Sequence, residues 1–162
     1  VTSPPPGLGT WLADLEAAFA EVATSALGFG SAEVVGHRDR APAMHAALLG
    51  LMGPAGAVQI GVAASPDGCQ ALARGLMGMG PADAPLPDNE VADAVCEIIN
   101  IVAGGFKTRL RDRANPLQMG LPVFIHGAVQ ATDLVAVRVA DVQAGPVAAA
   151  LLLVHPRTTA EA

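Results

Sequence analysis

The chain has 162 residues, a formal net charge of -6 and a sequence pI near 5.0, with 52% apolar but only 3% aromatic residues. That is the size of one ordinary domain, with a core built from Val, Leu, Ile, Ala and Met. An acidic chain is repelled by phosphate backbones and anionic lipid, which argues against nucleic-acid and membrane-surface partners.

In chain order, residues 1–9 are Pro- and Gly-rich and lack a basic region followed by an apolar block, so they read as a flexible leader and not a signal peptide. Thr10 is suited to cap a helix running to about Ala26, with Trp11, Leu15, Phe19 and Val22 near one face and Gly28 and Gly30 ending it. Residues 31–40 carry mixed charge and leave a strand and an irregular connection both open. Ala43–Met52 and Ala57–Ala64 flank the turn Gly53-Pro54-Ala55-Gly56 and predict a hairpin. Ser65-Pro66-Asp67 opens a second helix, which stops at Gly78-Met79-Gly80-Pro81.

Residues 81–87 hold three prolines and form a linker. Asp88 is expected to cap the longest helix, roughly 89–111, with Pro116 beyond its end. Strands are expected at Val123–Gln130, Leu134–Ala140 and Val147–Val154, with a turn over Asp141–Gly145. Val147–Val154 is the longest apolar run and has strand length, well short of the roughly 20 residues of a membrane span. This order predicts a single α+β domain over 10–156, followed by a tail at 157–162. Helices 10–26 and 89–111 each precede a β-rich segment, which hints at two weakly related halves.

Common hydrolase and nucleotide-binding signatures are missing, and His37, His45, His126 and His155 show no metal-ligand spacing. No metal is expected in this chain. Cys69 and Cys96 lack CxxC spacing, and reduced thiols in a cytoplasmic protein are the simpler expectation.

The long helix holds the candidate chemistry. At about 100° per residue, Val91, Ala94, Val95, Ile98, Ile101, Val102 and Phe106 fall on one broad face, the expected core side. Asp93, Glu97, Asn100 and Gly104 form a narrow stripe opposite it. Periodicity alone favours an ordinary solvated face. Gly104 and Gly105 each cost roughly 1 kcal/mol of helix propensity against Ala, which invites an explanation.

The segment from Asp93 to Lys107 resembles the signature of the CheC/CheX/FliY phosphatases. That signature is Asp or Ser, three residues, Glu, two residues, Asn, and a distant Pro. Asp93, Glu97 and Asn100 match both spacings, and Pro122 follows Asn100 after twenty-one residues where the pattern has twenty-two. The resemblance implies a phosphatase acting on the aspartyl phosphate of a CheY-like response regulator. Asn100 would then orient the attacking water, while Glu97 docks the partner through its active-site Lys. Asp93 and Gly104 would lie in the partner-binding surface, and any Mg2+ would belong to the regulator. The comparable positions in the first helix, Ala17, Glu21 and Thr24, lack the Asn, which implies one site per chain. The resemblance further implies a homodimer joined through sheet edges, for which the apolar late strands are candidates. The alternatives are a non-catalytic binding module of the same fold, for a response regulator or a flagellar-switch component, and a structural dimerisation domain. The basic residues Lys107, Arg109, Arg111 and Arg113 fit either helix-dipole complementation or a docking patch for an acidic partner.

Overall fold

A computed structural model describes residues 8–54, 56–80, 82–110 and 117–157. Ten elements follow in order: α1 (Leu8–Ser25), β1 (Ala32–Arg38), β2 (Met44–Gly53), β3 (Gly56–Ala64), α2 (Pro66–Leu76), α3 (Asp88–Leu110), β4 (Gln118–Met119), β5 (Val123–Gly127), β6 (Val135–Ala144) and β7 (Val147–Pro156). All strand pairs are antiparallel, in the order β1-β6-β7-β3-β2, with β4 and β5 both pairing along the outer edge of β2. The helices pack on one face of this sheet, the layered α+β arrangement expected from the sequence.

The central strands are apolar on both faces because both faces are covered. Leu49, Ile60, Val62, Leu151 and Leu153 point into the main core under the helices. Leu48, Ala63, Leu152, Val154, Val137 and Val139 form a second cluster on the opposite face, flanked by Met44, Ile125, Val129 and Val135. A strand buried on both sides reads as a continuous apolar run, which explains Val147–Val154.

Two related halves are visible in the strand order. Exchanging β1 with β5, β2 with β6 and β3 with β7 gives the same order read from the other end. The same exchange relates α1 to α3, each of which leads into its half's strands.

Local chemistry sets the boundaries that position the long helix. Ser65 caps α2, its side chain accepting from the Gly68 N–H at 3.1 Å. In α3 the Val91 N–H donates to the Pro87 carbonyl, so Pro87 holds the cap position and Asp88 lies in the first turn, where its carboxylate favours the helix dipole. Likewise α1 begins at Leu8, so Thr10 lies inside the helix instead of capping it. The expected leader thus keeps its first seven residues outside the described structure, as do Pro81, Arg111, Arg113, Pro116 and the tail beyond Arg157.

Residues 32–38, left open between a strand and an irregular connection, form a strand that among the described residues pairs only with β6 and is interrupted by a bulge between Val34 and Gly36. Other expectations need correction. Strand β6 continues through Ala144, and Gly145 (φ +51°) makes the turn, so the loop over Asp141–Gly145 shrinks to its last residue and Pro146. Strand β5 ends at Gly127, short of Gln130. Of the late strands, β6 and β7 lie inside the sheet, while β5 pairs with β2 alone and lies at one edge, as expected; β1, where Val34 and Val35 are exposed, forms the opposite edge.

Candidate functional site: the outer face of α3

Helix α3 is held from several sides, by α1, by α2 and by the sheet below it. Nine of its side chains are buried: Val91, Ala94, Val95, Ile98, Ile99, Val102, Ala103, Phe106 and Leu110. This arc is wider than a single-sided helix requires. It moves Ile99 into the core, while Ile101, expected there, is 38% exposed at the border of the polar stripe.

The remaining strip of α3 carries the candidate residues. Asp93, Glu97 and Gly104 are exposed and Asn100 is half-buried. Glu97 and Asn100 stand side by side, the Asn100 Nδ2 donating to Glu97 Oε2 at 3.4 Å. At that length the contact is loose, so the amide can exchange it for a better partner. Asp93 lies one turn earlier on the same face. Its negative charge, after burial, is the second cause that raises the Cys96 thiol pKa.

The two glycines separate cleanly. A Cβ on Gly105 would sit 3.5 Å from the Ala18 Cβ, so this glycine faces the close approach of α1. A Cβ on Gly104 would meet no heavy atom within 4 Å. Packing among the described residues therefore gives no reason for Gly104, and its effect is to leave a bare patch beside Asn100.

The corresponding face of α1 is arranged differently. Ala17, Glu21 and Thr24 are all exposed. However, Glu21 pairs with Arg109 at 2.9 Å, and the Thr24 hydroxyl donates back to the Ala20 and Glu21 carbonyls. Among the described residues no side-chain amide is bonded to Glu21. Arg109 thus links α3 to α1 through Glu21, and it also donates to the Gly105 carbonyl of its own helix.

The stripe lies outside two open surface clefts of about 630 and 270 Å3, which are lined by residues such as Leu27, Gln70 and Arg74 in one and Glu16, Phe19 and Val34 in the other. Small-molecule sites are concave and mostly apolar. An open helix face with an acid, an amide and a bare glycine instead suits contact with another macromolecule's surface.

Sequence periodicity located the stripe but missed two features. One is Ile101, which places an exposed apolar side chain next to Asn100. The other is the meeting of His45 and His126 across β2 and β5, which only strand register creates.

The family model "Chemotaxis phosphatase CheX" matches residues 45–138. No curated protein sequence matches the chain significantly. Among solved structures, the chain is similar to the chemotaxis protein CheX from Vibrio vulnificus, with a TM-score of 0.71 and 18% identity over 89% of this chain and 97% of that one. It is also similar to the CheX–CheY–BeF3–Mg2+ complex from Borrelia burgdorferi, with a TM-score of 0.67 and 18% identity over 91% of this chain and 98% of that one. FliY from Thermotoga maritima gives a TM-score of 0.61 and 15% identity, over 88% and 84% of the two chains. At these identities the structural likeness speaks for the fold alone.

Proposed function

The chain belongs to the chemotaxis phosphatase CheX family, and from that premise we propose that it hydrolyses the aspartyl phosphate of a CheY-like response regulator. The observation that carries the proposal is the Glu97–Asn100 pair, adjacent on an open helix face with the bare Gly104 beside it. The Borrelia complex, which joins a CheX to a CheY with BeF3 and Mg2+, supports the choice of partner.

In the proposed reaction a water attacks phosphorus in line with the aspartyl oxygen. The P–O bond to the regulator's aspartate breaks, the carboxylate leaves with its electron pair, and inorganic phosphate is released. The acyl phosphate is already activated, and Mg2+ on the regulator offsets charge on the phosphoryl oxygens. What remains is to hold the water. The Asn100 amide supplies one acceptor and two donor hydrogens for that purpose. Glu97 pairs with the regulator's active-site Lys, and Asp93 and Gly104 belong to the docking surface, with Ile101 adding an apolar contact.

Glu97→Ala should therefore act mainly on association, since it removes a charge-assisted contact worth about 1.5–3 kcal/mol. The expected loss is roughly 10–100-fold in affinity for the phosphorylated regulator, read by titration with a BeF3-activated partner. Unchanged affinity would remove Glu97 from the docking surface.

Homodimerisation and a cytoplasmic location belong to the same proposal. The open edge strand β1, with exposed Val34 and Val35, supports assembly through a sheet edge. Sedimentation at micromolar concentration should give a dimer, and a monomer there would contradict it.

A further inference from the structure

We propose that His45 and His126 form a binding site for a late first-row divalent metal ion of the Ni2+, Cu2+ and Zn2+ class. His45 on β2 and His126 on β5 are directly opposed in an antiparallel pair, so both side chains leave the same face of the sheet. His45 Nε2 and His126 Nδ1 lie 3.0 Å apart. Two imidazole nitrogens that each bind a metal at about 2.0–2.1 Å and lie 3.0 Å apart subtend an angle of roughly 90° at the ion. Widening to tetrahedral geometry needs a shift of only a few tenths of an ångström.

The surroundings fit the class of ion. Phe124 meets both rings edge-on, at 5.9 Å from His45 and 5.4 Å from His126, and itself packs against the main core. The pair therefore has a rigid apolar backing, while the exposed His126 leaves a way in. Imidazole donors select Zn, Cu and Ni over the oxygen-seeking Mg and Ca. The buried Cys69 thiol is directed at backbone, donating to the Ala64 and His45 carbonyls at 3.8 and 4.0 Å, and is not part of the set. Among the described residues no group of three or more His, Cys, Asp or Glu side chains is placed to hold a metal. Water completes the coordination, which makes this an open and exchangeable site. Bound there, the ion ties the outer strand β5 to β2.

The test is calorimetric titration of the untagged full chain with Ni2+ or Zn2+ alone, at about pH 7.5, above the ordinary imidazole pKa. One saturable site is expected, with a rise in Tm as metal binds the folded state. Losing a direct ligand should cost no less than the roughly 10–100-fold that losing an outer partner costs. His45→Gln and His126→Gln should each show that loss, and the exposed His126→Gln carries the test should His45→Gln not fold. His37→Gln should leave binding unchanged, because His37 lies elsewhere, paired with Glu16 at 2.6 Å. No saturable binding at millimolar metal, or full binding by His126→Gln, overturns the site.

Discussion

Replacing Asn100 by Ala should lower the turnover of regulator dephosphorylation by at least ~10²-fold while leaving fold and docking largely intact, because misplacing a reactant by about 1 Å costs that much. The separation of effects follows from position. Asn100 is not among the buried side chains of α3, and its one side-chain hydrogen bond among the described residues is the loose one to Glu97. Ala is also the better helix former, so the substitution should leave α3 as stable or more so. Circular dichroism and affinity for a BeF3-activated regulator should be near wild type, and single-turnover phosphate release should collapse. Loss of both binding and turnover would make Asn100 a docking residue instead.

The largest effect on stability should come from Phe106→Ala. Phe106 is fully buried where α3 meets α1, and its ring meets Trp11 edge-on, with centroids 6.3 Å apart at 77°. Its removal takes away apolar burial and an aromatic pair, and leaves a cavity between two helices and the sheet. The expected cost is about 3–5 kcal/mol. For a domain of this size that corresponds to a fall in Tm of roughly 6–20 °C. Phe106→Leu, which refills most of the volume, should lose much less. Equal losses in both variants would mean that the ring's edge-on contact matters more than volume.

The sequence was most legible where structure is local. The stripe of Asp93, Glu97, Asn100 and Gly104 depends only on helical periodicity, and the structure presents it on the outer face as expected. The hairpin of β2 and β3 was marked by its Gly-Pro turn. Legibility fell where a second or third neighbour decides. Ile99 and Ile101 exchange roles because α3 is covered by α1 and α2 as well as by the sheet. Strand β1 looked ambiguous because an edge strand with one neighbour needs no apolar alternation, and Ala32–Arg38 is mostly exposed. The cap falls one residue before Asp88 because the Pro87 carbonyl, on a residue with no amide hydrogen of its own, accepts the first helical bond from Val91. The pairing of His45 with His126 spans 81 residues and follows from register alone, which no spacing rule reads.

The central claim is that this chain speeds hydrolysis of a phosphorylated regulator through the outer face of α3. Its most direct test follows the decay of a phosphorylated CheY-like response regulator in Mg2+, alone and with catalytic amounts of the protein. The account predicts faster phosphate release with wild-type protein, with many turnovers per chain, and decay near the intrinsic rate with Asn100→Ala. Binding of the regulator with no acceleration by wild-type protein would contradict it and leave a non-catalytic binding module in its place.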